Sequence, residues 1–176
     1  MVILAGRYKG KSIKTDPRAV YRPTQSRIRK SLFDMLGDLD GATVLDLYAG
    51  SGILGFEAVS RGADHVTFVD HHYRVIQLLK TNAELFDGLS CRIVKMDAIR
   101  FLESCGRYDL IIADPPYGTI SAIAKTGKIS LIEMCLARLK LGGRFVLETS
   151  SGEKCISGDR EKIYGDTKLI IWSKTT

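Results

Sequence analysis

The residues best suited to chemistry are Asp114, Pro115, Pro116 and Tyr117, which directly follow the apolar run 110–113. The Asp114 carboxylate and the Pro115 carbonyl can accept hydrogen bonds, and the two prolines restrict the backbone that carries these acceptors. Tyr117 adds an aromatic face on which a nucleobase can stack. An exocyclic base amine is a poor nucleophile, because its lone pair is delocalised into the ring. The Asp114 carboxylate and the Pro115 carbonyl, which form a corner with Pro116 and Tyr117, can accept hydrogen bonds from such an amine while its nitrogen is alkylated.

A glycine-rich loop follows the first apolar strand of the chain. Gly50, Gly52 and Gly55 have the spacing G-x-G-x-x-G, in which glycines let the backbone turn sharply into a helix and approach a ligand closely. The strand before the loop ends in an acidic residue, Asp46. The glycine spacing alone is a weak signal, so the interpretation depends on the acidic residues around it.

Three successive predicted strands end in an aspartate, at Asp46, Asp70 and Asp97. Each could cap a helix, but all three at strand ends favour a bound ligand. Asp70 lies twenty residues after Gly50, where a carboxylate can bind the ribose hydroxyls of a dinucleotide, so a nicotinamide oxidoreductase is an alternative. Asp46 would repel a pyrophosphate but suits the cationic methionine end of S-adenosylmethionine, and Asp97 could accept from its adenine amino group. We therefore predict S-adenosylmethionine as the cofactor.

Strands and helices alternate from residue 41 onward, which predicts an α/β fold with a mostly parallel sheet covered on both faces. If the first and fourth strands flank the switch point of the sheet, Asp46 and Asp114 become neighbours in one cleft. A helix is expected at about 129–140, and the last two strands should form a hairpin joined at Gly165 and Asp166. The predicted strands are 43–47, 65–70, 91–97, 108–114, 142–150, 160–165 and 167–174.

The basic excess of the chain is confined to its N-terminal part. Residues 1–31 contain nine of the 26 basic residues and one of the 20 acidic ones, so this part carries +8 and the remainder −2. Tyrosine, glycine and proline are interleaved with these cations, which favours a nucleic-acid partner over a merely solvated face. The chain therefore divides into a basic extension, 1–40, with a short hairpin and a helix at 25–36, and an α/β domain, 41–176.

Other function classes receive little support from the composition. The cysteines, at 91, 105, 135 and 155, form no C-x-x-C pair, and the three histidines lack metal-ligand spacing, so we expect reduced thiols and no metal site. No apolar run approaches the roughly 18 residues of a membrane span. We expect a cytoplasmic protein, and a monomer.

The motifs resemble those of a known family. The stretches "DLYAGSGILGFEA" and "ADPPYG" are similar to class I S-adenosylmethionine-dependent methyltransferases that act on amino groups. The N-terminal "AGRYKGKSI" and "RPTQSRIRKSLFDML", with the tail "GDTKLIIW", resemble the RsmD family, which methylates the guanine 2-amino group at one position of small-subunit (16S) ribosomal RNA. The resemblance implies a Rossmann-like three-layer sandwich whose seven-stranded sheet ends in an antiparallel strand. It also implies a partly assembled small subunit as substrate.

Carried over residue by residue, the resemblance assigns three sets of residues. The catalytic motif is Asp114, Pro115, Pro116 and Tyr117. The cofactor motifs contain Asp46, Tyr48, Gly50, Gly52, Asp70 and Asp97. The N-terminal pattern, which we interpret as RNA-facing, contains Arg7, Lys9, Gly10, Arg22, Pro23, Thr24, Arg27 and Arg29. The stretch "TISAIAKTGK" departs from the family pattern, which leaves the base pocket undefined.

Four alternatives use part of the same evidence. A DNA adenine methyltransferase has the same corner but usually needs an added recognition domain, for which this chain has no room. A protein-glutamine methyltransferase typically has Asn in place of Asp114. A nicotinamide oxidoreductase leaves Asp114–Tyr117 without a role. A non-enzymatic ribosome-assembly factor would use the same basic face but would not need Asp46 and Asp114 in a cofactor cleft.

Overall fold

The structure is a computed structural model of the chain, and it describes residues 1–16, 26–116, 118–120, 130–153 and 157–175. Helices and strands alternate along most of the described chain. In chain order the elements are α1 (Ser26–Leu36), β1 (Thr43–Leu47), α2 (Ile53–Ser60), β2 (His65–Asp70), α3 (Tyr73–Ala83), β3 (Cys91–Lys95), α4 (Ala98–Ser104), β4 (Tyr108–Ala113), α5 (Leu131–Ala137), β5 (Leu139–Ser150), β6 (Arg160–Tyr164) and β7 (Thr167–Ser173).

The strands in the described part of the chain form one seven-stranded sheet in the order β3-β2-β1-β4-β5-β7-β6. Strands β1 to β5 pair in parallel, while β7 is antiparallel to both β5 and β6. Consequently β6 runs in the same direction as β1 to β5. The mostly parallel sheet and the closing hairpin are confirmed, and the strand order reverses between β1 and β4, as expected for the switch point.

Two apolar clusters cover the two faces of the sheet. One contains α1, α2 and α3, with Phe33, Phe56 and Leu79 among its fully buried side chains. The other contains α4 and α5, with Phe101 and Leu131 against the opposite face. Because strand side chains alternate between faces, each buried strand contributes to both clusters. This is the α/β three-layer arrangement that the resemblance implied.

The N-terminal segment, residues 1–16, packs against the first of these clusters. Ile3 and Ile13 are buried there, and an antiparallel bridge pairs Val2 with Ser12, which is the short hairpin expected from the sequence. At Gly6 (φ +80°) a Cβ would lie 1.6 Å from the Ser60 carbonyl oxygen, so a side chain cannot be accommodated where the segment crosses α2. The division at residue 40 stays a prediction, but the extension and the sheet share one core.

The predicted helix at 129–140 is longer than the observed α5. Ser130 and Glu133 form a capping box that begins the helix. The helix ends at Ala137 because Leu139 already pairs with Tyr108 in the sheet, and a register shift then follows before Leu110 pairs with Arg144. Strand β5 therefore begins three residues earlier than the pattern at 142–150 predicted.

Cys91, Cys105 and Cys135 are free thiols, and Cys155 lies outside the described residues. Within the described ranges, none of the helices has the length and apolar character needed to cross a bilayer.

Candidate active site at the carboxyl edge of the sheet

Asp46 is a buried carboxyl group at the end of β1, with 2% of its surface exposed. Its Oδ2 accepts a hydrogen bond from the Gly55 backbone N–H in α2 at 2.9 Å. Burial raises the pKa of Asp46 to about 8, the Gly55 N–H opposes this rise, and the negative charge of Asp70 adds to it. A cation bound beside this carboxyl would lower its pKa again, so the site favours a positively charged ligand group.

The loop between β1 and α2 takes backbone conformations that suit close approach to a ligand. Tyr48, Gly50 and Gly52 have φ values of 57°, 53° and 79°, and the Ala49 carbonyl accepts a hydrogen bond from the Gly52 N–H at 2.8 Å. A Cβ on Gly52 would lie 2.6 Å from both Leu79 Cδ2 and Phe56 Cε2. A side chain at Gly52 would therefore displace these core side chains, and the positive φ of Gly52 is one that glycine adopts without strain.

Asp70 ties this loop to the next helix. Its Oδ2 accepts from the Gly50 N–H at 3.3 Å, and its Oδ1 accepts from the His72 N–H at 2.9 Å where α3 begins. The imidazole Nδ1 atoms of His71 and His72 lie 3.9 and 3.4 Å from Oδ1, a grouping that could also hold a metal ion. The expectation of no metal site therefore stays a prediction.

Asp97 lies two residues beyond the end of β3 at Lys95, not at the end of the strand as predicted, and it caps the next helix. It lies at the N-cap of α4, where its Oδ1 accepts from the Arg100 N–H at 3.1 Å, and its side chain is exposed. Burial raises the pKa of Tyr48, and the negative charge of Asp97 raises it further, which places the two side chains near each other. Capping uses one carboxylate oxygen, which leaves Asp97 with further acceptor capacity.

The Asp114 corner begins directly after β4. Asp46 pairs with Ile112 and Leu47 with Ala113, so Asp114 lies two residues beyond the partner of Asp46 on the adjacent strand. Strand geometry gives a backbone separation of about 8 Å between the two aspartates. The predicted neighbourhood of Asp46 and Asp114 thus follows from the register.

The prolines of this corner are held by a local turn. Pro115 is buried and Pro116 exposed, and the Pro116 carbonyl accepts from both the backbone N–H and the hydroxyl of Thr119, at 3.1 and 2.6 Å. That carbonyl is therefore occupied, and Asp114 and the Pro115 carbonyl are the candidate acceptors for a substrate amine. Tyr117 lies outside the described residues.

The predicted RNA-facing residues divide into three groups. Arg7, Lys9, Gly10 and Arg27 are exposed, as an RNA contact requires. Arg22, Pro23 and Thr24 lie outside the described residues. Arg29 is 1% exposed, so its assignment as an RNA-facing residue is wrong.

Arg29 is a structural residue. Its Nε lies 3.6 Å from Glu57 Oε2, and its guanidinium donates to the Val2 carbonyl at 2.6 Å. Burial lowers the pKa of Arg29, while the carboxylate of Glu57 opposes this and keeps the cation charged. A signal for this burial was present, because Arg29 shares the i, i+3, i+4, i+7 stripe of α1 with Leu32, Phe33 and Leu36.

Two residues that the sequence reasoning missed fasten the N-terminal segment beside the site. Glu57, which is fully buried, accepts from the backbone N–H groups of Leu4 and Ala5 at 2.8 and 3.1 Å. Asn82 donates to the carbonyls of Lys14 and Ser51, both at 3.0 Å, which joins the segment to the glycine loop. The position of Glu57 in the otherwise apolar helix 53–59 was a usable signal for the first of them.

A family model matches nearly the whole chain, and curated relatives match about two thirds of it. The family model described as Conserved hypothetical protein 95 matches residues 1–173. YlbH of Bacillus subtilis strain 168, named as a candidate rRNA methyltransferase, is 37% identical over 123 residues, which cover 66% of this chain and 67% of YlbH. The ribosomal RNA small subunit methyltransferase D of Escherichia coli K12 is 33% identical over 117 residues, covering 65% of this chain and 59% of that enzyme. The match therefore spans about three fifths of that relative's length.

A solved structure supports the same comparison. The structure of yhhF of Escherichia coli, a candidate methyltransferase, superposes on this chain with a TM-score of 0.81 at 26% identity. The superposition covers all of this chain and 98% of yhhF.

Proposed function

The chain belongs to the RsmD family, described as Conserved hypothetical protein 95, and we propose that it methylates the 2-amino group of a guanine in small-subunit (16S) ribosomal RNA. The methyl donor is S-adenosylmethionine. The observation that carries the proposal is the register of β1 and β4, which puts the Asp46 carboxyl and the Asp114 corner side by side at one edge of the sheet.

The residues of this edge fit the cofactor. Asp46 is buried, has a pKa of about 8 and lies near the charge of Asp70, so a cationic methionine end would relieve an unfavourable arrangement. We propose that the loop backbone at Gly50 and Gly52 approaches the cofactor closely. Asp70 is the proposed acceptor for its ribose hydroxyls, and Asp97 is the proposed acceptor for its adenine amino group. When bound, S-adenosylmethionine supplies an electrophilic methyl group on a cationic sulfur.

Asp114 and the Pro115 carbonyl are the proposed catalytic acceptors. By accepting the hydrogens of the guanine 2-amino group they hold its nitrogen in a tetrahedral arrangement with its lone pair available. Pro116 stiffens the corner, and Tyr117 is proposed to stack on the base, an interaction worth about 1–3 kcal/mol. Fixed orientation of the reacting groups can remove about 7–11 kcal/mol of a barrier, which is why a stiff corner serves this chemistry.

The exposed cations Arg7, Lys9 and Arg27 are the proposed contacts to the RNA backbone, together with Gly10 and the residues 22–24. We propose further that the substrate is a partly assembled small subunit and that the protein acts in the cytoplasm as a monomer. These statements rest on the family and on the charge of the N-terminal part.

The direct test is to incubate the protein with labelled S-adenosylmethionine and small ribosomal subunits from a strain that lacks this gene, and then to digest the RNA to nucleosides. Label in 2-methylamino-guanosine would support the base, the position and the RNA. Label in 6-methylamino-adenosine would keep the chemistry and refute the base. Binding without label would favour a ribosome-assembly factor that does not catalyse methyl transfer.

A further inference from the structure

The edge strand β6 carries cations on one face. Side chains alternate along a strand, so Arg160, Lys162 and Tyr164 share a face, while Glu161 points to the opposite one. The side chains of Arg160, Lys162 and Ile163 are exposed. The Glu161 carboxylate accepts from the Gly158 N–H at 3.3 Å on its own side of the sheet.

Helix α1 packs on the cationic face and fixes these side chains. The Ser31 hydroxyl accepts a hydrogen bond from the Lys162 ammonium at 3.1 Å and another from the Tyr164 hydroxyl. The Arg27 guanidinium lies 6.0 Å and the Lys162 ammonium 5.5 Å from the centroid of the Tyr164 ring. Arg27, Lys162 and Tyr164 form what we call the β6 cluster, in which two exposed cations flank one anchored ring.

The β6 cluster lies at the same edge of the sheet as the catalytic corner. The pairings across the sheet place Ala113, Leu147, Ile170 and Glu161 in one row. Asp114 and Lys162 each lie one residue beyond this row, on strands that run in the same direction. They are therefore level with each other, three strand spacings or roughly 14 Å apart.

The direction of α1 brings its first turn to that same edge. At its C-terminal end the Leu36 carbonyl accepts from Arg144, which pairs with Leu110 near the start of β4. At its N-terminal end Arg27 lies over Tyr164, at the end of β6. The helix thus runs from the catalytic edge to the opposite edge, with Arg27 on the catalytic side.

From this geometry we propose that the β6 cluster is a second RNA-binding surface, which holds phosphates of the strand that leads away from the nucleotide at Asp114. The inference rests on the proposed function. Arg27 and Lys162 lie beside the Tyr164 ring, Arg160 shares the cationic face of β6, and all three cations are exposed. The contacts with the ring and with Ser31 pre-position the two cluster cations, which reduces the entropy cost when phosphates bind.

The variants Arg27→Gln and Lys162→Gln, singly and together, test this surface. Lys80→Gln is the matched control, because Lys80 is an exposed cation in the last turn of α3, away from the cluster. Binding to small subunits that lack the modification is measured as a function of salt, with KM and kcat measured on the same particles. Thermal stability and cofactor affinity report whether each variant is folded.

Each cluster substitution should reduce the slope of log affinity against log salt by about 0.7, and the double variant by about twice that. KM should rise while cofactor affinity stays at the level of the unsubstituted protein. If both cluster variants match Lys80→Gln in slope and KM while the unsubstituted protein methylates the subunit, the β6 cluster is not an RNA surface. The proposed methyl transfer then stands, and only the assignment of Arg27 as an RNA contact is lost. If the unsubstituted protein neither binds nor methylates the subunit, the proposed function fails and the inference fails with it.

Discussion

Replacing Glu57 with glutamine tests how the N-terminal segment is held. The Glu57 carboxylate accepts from the Leu4 and Ala5 N–H groups and from Arg61 Nε at 2.8, 3.1 and 2.8 Å. It also faces Arg29, whose guanidinium is 1% exposed and cannot turn to water. The substitution keeps the shape of the side chain but leaves the Arg29 cation without its buried counter-charge. It also replaces one acceptor oxygen with an amide NH₂ that faces N–H donors.

Removing one partner of a buried ion pair costs about 3–5 kcal/mol, because the other charge stays desolvated. Domains of this size have total stabilities of about 5–15 kcal/mol, so Glu57→Gln should remove about a fifth or more of the free energy of unfolding. Since 1 kcal/mol corresponds to roughly 2–4 °C in proteins of 150–250 residues, the melting temperature should fall by roughly 6–20 °C. Thermal and urea unfolding, followed by circular dichroism, measure the decrease.

The matched control is Glu103→Gln, because Glu103 is exposed on α4 and the effect of its replacement should stay within about 0.5 kcal/mol. Adding Arg29→Met to Glu57→Gln should recover part of the stability by removing the uncompensated charge. If Glu57→Gln lies within about 1 kcal/mol of Glu103→Gln, the ion pair does not fasten the segment and the assignment of Arg29 as a structural residue has no energetic basis.

Three further outcomes are expected. Asp114→Ala should lower methyl transfer by at least about a hundredfold while calorimetry shows cofactor affinity retained, since Asp114 is proposed to hold the amine; loss of both would indicate damage to the cofactor site instead. Replacing Arg7 and Lys9 with glutamine should reduce the salt slope of RNA binding by roughly 0.7–0.9 for each phosphate that is no longer neutralised, whereas the exposed Arg107→Gln, at the amino edge of the sheet, should leave it unchanged. The pKa of Asp46 is raised from its ordinary value of 3.8 to about 8, so between these values the folded cofactor-free protein holds a proton that the unfolded chain releases. The melting temperature of the cofactor-free protein should therefore fall as the pH rises from about 4 to about 8, and Asp46→Asn should remove that fall.

The sheet was the predictable part of the fold. Strands β1 and β2 occupy the predicted ranges 43–47 and 65–70, because each is a short, mostly apolar run between turn-forming stretches: β1 lies between Gly41 and the glycine loop, and β2 follows Asp64 and ends in Asp70. The positions of Asp46, Asp70 and Asp114 at strand ends follow directly from those bounds. The start of β5 was not predictable in the same way, since it depends on the pairing of Leu139 with Tyr108, thirty-one residues earlier in the chain.

The role of Arg29 shows where charge counting fails. Arg29 was assigned to RNA because it lies in a basic segment and matches the N-terminal pattern of the family. Its place on the apolar stripe of α1 indicated burial, but the partner that makes burial tolerable, Glu57, lies in a different helix. Patterns within one helix reveal which face is buried, whereas the pairing of two buried charges is a property of tertiary structure.

Asn82 links the two parts of the proposed machinery. Its side chain is fully buried, and its amide accepts from the Lys14 N–H at 2.8 Å and donates to the carbonyls of Lys14 and Ser51. One satisfied amide therefore joins the end of the basic segment to the glycine loop. Because Glu57 holds the same segment at Leu4 and Ala5, the exposed cations between these points have little freedom to move independently of the loop. In the proposed reaction, RNA bound by those cations is thus positioned with respect to the cofactor loop by the fold itself.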